Sequence, residues 1–90
     1  MKHAGPEALS AIPELLAGIR AIEGLNEVGP GRFYFKSKAL VHFHEDPSGM
    51  YADVKVGEGF ERFRATTPAE QADLLKLIVE QCAARSSRNP

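Results

Sequence analysis

The chain has 90 residues, and its 11 lysine and arginine residues against 12 aspartate and glutamate residues give a net charge of −1. This length favours one domain over residues 1–90 and excludes a multidomain enzyme. The balanced charge argues against nucleic acid as a partner, and the single cysteine excludes a disulfide scaffold. No apolar run is long enough to cross a bilayer. Residues 1–6 lack the apolar core of a signal peptide, so we expect a cytoplasmic location.

The first apolar pattern predicts an amphipathic helix. Apolar residues recur at spacings of three and four between residues 9 and 22, which is typical of one helical stripe. Ser10 is predicted as the N-cap, because this places Pro13 in the first turn, where the missing N–H costs nothing. We therefore predict a helix over residues 11–23, followed by a loop over residues 26–31.

The period then changes to two, which predicts an antiparallel meander of three or four strands. The turn at residues 46–49 is strongly indicated, since proline and glycine stand where a β-turn favours them. The facing of Phe33 and Phe35 stays open, because a two-residue turn and a three-residue turn after this strand give opposite answers. The predicted strands cover residues 33–35, 39–45, 50–56 and 60–65.

The turn also predicts the register of the central hairpin. Pairing Glu45 with Met50 places His42 opposite Asp53 and buries an apolar set, whereas a slip by one residue would bury the charged set. The predicted core face carries Val41, Phe43, Ala52, Val54 and Val56. The predicted polar face carries His42, His44, Tyr51, Asp53 and Lys55, and the last strand adds Arg62 and Arg64.

A second helix is predicted from the sequence that begins at Thr67. Thr67 and Glu70 have the spacing of a capping box, and Pro68 stands at the first helical position. We predict that this helix runs to about Ala84. Its buried face is predicted to hold Leu74, Leu75, Ile78 and Cys82, widened by Leu77 and Val79.

The predicted fold is therefore α+β, with a helix before and after the meander and both helices on one face of the sheet. The chain ends, residues 1–8 and 85–90, are predicted to be flexible.

Two histidines in one strand are the most specific chemical feature. His42 and His44 point the same way from their strand, so both rings could reach one metal ion, with Asp53 as a third ligand. The alternative is an ordinary solvated face with a His42–Asp53 salt bridge, in which the carboxylate raises the histidine pKa. The His–Asp pair also resembles half of a catalytic triad, but no nucleophile accompanies it, so no catalytic residue is assigned.

These features predict a non-enzymatic binding module that uses the open face of its sheet. The expected partner is a small anion or another protein, a homodimer is possible, and no cofactor is expected. The alternative is a metal-assisted or histidine-based enzyme on the same face. The candidate ligand-binding residues are His42, His44, Tyr51, Asp53, Lys55, Arg62 and Arg64, and the candidate metal ligands are His42, His44 and Asp53.

The stretch from Lys38 to Val54, with residues 60–64 and the helix start at Thr67, resembles small bacterial proteins without an assigned activity. This resemblance implies no catalytic residue. The segment from Phe35 to Val41 is also similar to small helix-plus-sheet proteins of the YjbR kind, whose chains continue further after the position of Lys55. That similarity implies a fold only.

Overall fold

The computed structural model describes residues 1–87, which form an α+β fold. One antiparallel sheet has the strand order β2-β3-β4-β5-β6, and β1 pairs with β4 beside this path. No helix in the described part of the chain is long and apolar enough to cross a membrane. The elements are β1 (Lys2–His3), α1 (Pro6–Leu9), α2 (Pro13–Arg20), β2 (Leu25–Gly29), β3 (Arg32–Phe35), β4 (Lys38–Asp46), β5 (Gly49–Val56), β6 (Gly59–Arg64) and α3 (Pro68–Ser87).

The first predicted helix is divided in two, and Ser10 is not its N-cap. The Ser10 hydroxyl donates to the carbonyl of Glu7 at 2.6 Å, at the end of α1. A continuous helix would drive the Pro13 ring into the carbonyl four residues earlier, that of Leu9. That carbonyl accepts the N–H of Ile12 instead, and α2 begins at Pro13 without a side-chain cap. The predicted apolar stripe is nevertheless buried at Leu9, Ile12, Leu15, Leu16 and Ile19.

The prediction of a loop over residues 26–31 is wrong, because β2 runs from Leu25 to Gly29. This edge strand pairs with β3, with Glu27 opposite Phe33, and a register shift follows Glu27. Of its five residues only Leu25 is buried. An exposed edge strand is held by backbone hydrogen bonds to one neighbour and needs no apolar alternation, so the period of two is missing from its sequence.

A two-residue turn and a register shift together decide the facing of the first predicted strand. Lys36 and Ser37 both have positive φ, 51° and 71°, as in the two-residue type I′ turns that match the twist of a hairpin. The turn alone would place Phe33 opposite Leu40, but the shift places it opposite Val41, and Phe33 and Phe35 are both buried in the core. The pairing with β4 shifts between Phe33 and Tyr34, and two successive residues of β4, Leu40 and Val41, are both buried beside this shift.

The predicted register of the central hairpin is confirmed. Glu45 pairs with Met50, His44 with Tyr51 and His42 with Asp53. The predicted inner face holds four fully buried residues and the partly buried Val56, and it shares one core with the buried residues of α2 and α3. The four buried residues are Val41, Phe43, Ala52 and Val54.

The capping box at the start of α3 is confirmed by two reciprocal hydrogen bonds. The Glu70 carboxylate accepts the amide of Thr67 at 2.9 Å, and the Thr67 hydroxyl accepts the amide of Glu70 at 3.2 Å. Leu74, Ile78 and Cys82 are buried as predicted, whereas Val79 is 46% exposed and lies outside the buried face.

Regular secondary structure reaches into both segments that are predicted to be flexible, and their flexibility stays a prediction. Residues 2–3 pair with β4 and residues 6–9 form α1. Helix α3 continues to Ser87, and Arg85 donates to the carbonyls of Lys55 and Gly57, both at 3.1 Å. Residues 88–90 lie outside the described part of the chain.

The capping box yields a stability prediction. Replacing Thr67 with alanine removes the acceptor for the Glu70 amide, and we expect the free energy of unfolding to fall by about 1 kcal/mol. The measurement is urea denaturation at pH 7. The Thr67→Ser variant keeps the hydroxyl and should unfold near the wild-type midpoint. Equal midpoints for the alanine variant and the wild type would contradict this role for the cap.

Candidate metal centre

Three strands bring all the histidines of the sequence to one place on the polar face of the sheet. His42 and His44 alternate along β4, Asp53 lies opposite His42 on β5, and His3 lies opposite His44 on β1. The sequence contains only these three histidines. β1 extends the sheet beside β4 at this point, and His44 retains only 8% exposure.

The predicted metal ligands converge on a single point. His44 Nε2 lies 3.1 Å from both His42 Nδ1 and Asp53 Oδ2, and the latter two atoms are 4.0 Å apart. A triangle with these sides has a circumscribed radius of about 2.0 Å. Zinc bonds histidine nitrogen and carboxylate oxygen at about 2.0–2.2 Å. One ion therefore fits at bonding distance from all three atoms without a change in their separations.

Hydrogen bonds also connect the same three atoms to one another. A carboxylate only accepts hydrogen bonds, so His44 carries the proton on the Nε2 that faces Asp53 Oδ2, and His42 Nδ1 accepts from the same side. Both histidine atoms would have to offer lone pairs to a metal. Metal binding at this centre therefore displaces the Nε2 proton of His44.

Arg62 holds the third ligand in its ionised form. Its Nε and Nη2 atoms donate to the two carboxylate oxygens of Asp53 at 2.8 and 3.0 Å. This paired hydrogen bonding lowers the pKa of Asp53 below its usual value. The same arginine occupies Oδ2, the oxygen that lies nearest to His44, so it also competes with a metal ion for that atom.

Burial lowers the pKa of His42, although Asp53 acts in the opposite direction. The expectation that the carboxylate would raise this pKa is therefore wrong, because the loss of hydration outweighs the attraction of a single nearby anion. His42 is neutral at pH 7 as a result. A neutral imidazole is the form that binds metal ions.

Two residues that the sequence analysis did not connect with the site adjoin it. The ring of Phe60 lies 4.9 Å from that of His42, centroid to centroid. Phe60 is opposite Lys55 in the pairing of β5 with β6, and the period of two places it on the face of Arg62. The ring of His3 lies 4.8 Å from that of His44. No local signal places His3 here, since a two-residue strand has no detectable period.

The other predicted binding residues share the face but form a separate group. The Tyr51 hydroxyl is 2.7 Å from the Ser48 hydroxyl and accepts from Arg64 at 3.3 Å. Arg64 also donates to Glu70 at the start of α3. Lys55 is partly buried near the far end of β5. Of the seven predicted residues, the structure thus brings His42, His44, Asp53 and Arg62 together.

Comparison with known proteins does not assign the chain to a family. No family model, no curated protein and no solved structure matches the chain. The resemblance to YjbR-like proteins stays a prediction, and the site is interpreted from its own chemistry.

The lowered pKa of His42 predicts a specific pH dependence of stability. Between the folded-state pKa and the ordinary value of 6.5, the unfolded chain binds more protons than the folded one. The stabilisation from a neutral His42 is therefore complete above pH 6.5 and is lost as the pH falls through the folded-state pKa. Urea denaturation at pH 7.5 and 5.5 should show a smaller loss of stability for His42→Gln than for the wild type.

An equal loss of stability in both proteins would contradict this assignment. The contribution of Asp53 does not interfere, because its usual pKa is 3.8 and the folded-state value is lower still. Its ion pair is lost only in more acidic solution than the experiment uses.

Proposed function

We propose that this chain is a small metal-binding module that holds one divalent transition-metal ion, most naturally Zn²⁺, on the polar face of its sheet. The ligands are His42, His44 and Asp53. The observation that carries the proposal is the triangle of ligand atoms, whose circumscribed radius of about 2.0 Å equals a zinc–ligand bond length.

The donor set supports a transition metal over other cations. Two imidazole nitrogens and one carboxylate oxygen suit Zn²⁺ and its neighbours, whereas Mg²⁺ and Ca²⁺ prefer oxygen ligands. A small anion, the other ligand expected for this face, fits the cluster less well. The carboxylate of Asp53 lies at its centre, 3.1 Å from His44 Nε2, and would repel a second negative charge.

Two of the three ligands, His42 and Asp53, are also in the protonation states that binding needs, and all three are held in position. Burial favours the neutral form of His42 and Arg62 favours the ionised form of Asp53. All three ligands come from β4 and β5, two strands that lie inside the sheet with neighbours on both sides. Little conformational entropy remains to be lost when an ion binds.

A binding role is favoured over an enzymatic one because the candidate nucleophiles are engaged elsewhere. The Ser48 hydroxyl bonds to Asp46 and Tyr51. Cys82 is buried, and burial raises the pKa of its thiol, so little of the reactive thiolate forms. We further propose a cytoplasmic location, where a fold without a disulfide is the common case.

Zinc binding should be measurable by titration calorimetry and thermal unfolding. At free Zn²⁺ of 100 times the dissociation constant, binding to the folded state stabilises it by about 2.7 kcal/mol. Outer-shell substitutions weaken metal sites by about 10–100-fold, so loss of a ligand should cost at least tenfold. We expect that loss for His42→Gln and Asp53→Asn.

The matched control is Asp73→Asn, which makes the same chemical change on an exposed part of α3. It should bind zinc like the wild type. If the wild type shows no stabilisation at millimolar Zn²⁺, or if Asp53→Asn and Asp73→Asn bind equally well, the proposed function is wrong.

Arg62 provides a second test, because it competes with the metal for Asp53 Oδ2. Replacing it with glutamine removes the competitor and keeps every ligand, so zinc affinity should rise. The control is Arg20→Gln, which removes a similar two-point pair to Glu27 (2.7 and 3.1 Å) far from the site. Arg20→Gln should leave the affinity unchanged. A fall in affinity for Arg62→Gln would show that the carboxylate needs its arginine and does not bind the ion in competition with it.

A further inference from the structure

We propose that His3 is the fourth ligand of the metal centre, so that metal binding fastens the N-terminal strand β1 onto β4. This inference rests on the proposed function. It assigns a role to a residue in the segment expected to be flexible, and it makes the docking of that segment dependent on the metal.

The backbone already holds His3 beside the site. In the β1–β4 pairing His3 lies opposite His44, and the next amide, that of Ala4, donates to the carbonyl of Phe43 at 3.0 Å. One residue further, the Gly5 amide donates to the Glu45 carboxylate at 2.8 Å. The main chain on both sides of the His3 side chain is therefore anchored to β4.

The side chain of His3 is near enough to complete the site by a rotation. Its ring centroid lies 4.8 Å from that of His44 and 6.3 Å from that of His42. His3 is an exposed residue, so a change of its rotamer leaves the hydrophobic core undisturbed.

The ligand geometry leaves room for a fourth ligand. Because the circumscribed radius of the ligand triangle is about one bond length, the three atoms lie almost in a plane with the ion. Zinc in non-catalytic sites is four-coordinate and tetrahedral, with all ligands from the protein. A fourth nitrogen approaching from one side of the plane would draw the ion toward it. To complete the tetrahedron, the separation of His42 Nδ1 and Asp53 Oδ2 would also close from 4.0 Å to about 3.4 Å, the edge of a tetrahedron with bonds of about 2.1 Å.

The competing occupant of this position is a water molecule, as in catalytic zinc sites. His3 is favoured because an imidazole held on an anchored strand loses little freedom on binding, and because its ring already lies 4.8 Å from that of His44. β1 has only two residues and both are exposed, so its backbone hydrogen bonds should open more often than those inside the sheet. A bond from His3 to the metal would suppress that opening.

Cobalt spectroscopy of the full chain tests the coordination number. Four-coordinate Co²⁺ absorbs visible light several times more strongly than five- or six-coordinate Co²⁺. We expect the strong absorption for the wild type. In His3→Gln the imidazole nitrogen is replaced by water, so we expect a changed cobalt spectrum together with at least a tenfold loss of Zn²⁺ affinity, by the same reasoning as for the other ligands. The control is Lys2→Gln, which removes the 3.5 Å ion pair to Glu45 in the same strand but keeps the imidazole. Its spectrum and affinity should equal those of the wild type.

Amide hydrogen exchange tests the fastening of β1 separately. Zn²⁺ should slow exchange of the Ala4 amide in the wild type and in Lys2→Gln, and it should not do so in His3→Gln.

The outcomes separate the two proposals. If the wild type binds zinc and His3→Gln retains the wild-type cobalt spectrum and Zn²⁺ affinity, His3 is not a ligand and the metal centre itself stands. If the wild type binds neither Zn²⁺ nor Co²⁺, the proposed function fails and the role of His3 fails with it.

Discussion

The register of the β4–β5 hairpin is the constraint on which the rest of the structure depends. With Glu45 opposite Met50, the fully buried Phe43 and Val54 face the helices, and His42 and Asp53 meet on the opposite side. A slip by one residue would exchange the two faces and bury charged groups at a cost of several kcal/mol. The hydrophobic core and the candidate metal centre are thus two consequences of one pairing.

The polar cluster is partly buried, and its hydrogen bonds and protonation states offset the cost of that burial. Partial burial removes water from His42 and from Asp53, which penalises their charged forms. Two hydrogen bonds from Arg62 compensate the Asp53 carboxylate for its lost hydration. His42 avoids the same cost because it is neutral. The result is an ionised oxygen beside a neutral nitrogen, which is the combination that a zinc ion requires.

The N-terminal strand β1 is the third strand that contributes a residue to the site. β3 pairs with β4 as far as the Arg32–His42 pair, and β1 takes over this side of β4 at His44. His3 reaches the cluster because β1 pairs with β4 before the chain enters α1. A metal bond to His3 would link β1 to β4 and β5 through the ion. The order of the N-terminal segment would then depend on whether the site holds a metal ion.

The sequence by itself determined the elements whose signals are local. The 46–49 turn with its flanking alternation predicts the β4–β5 register, and Thr67 with Glu70 predicts the start of α3. Only the tertiary structure decided the rest. The edge strand β2 has no alternation to detect, and the facing of Phe33 depends on the register shift that pairs it with Val41. His3 joins His42 and His44 through long-range pairing, which no local pattern encodes because its energy comes from contacts about forty residues apart.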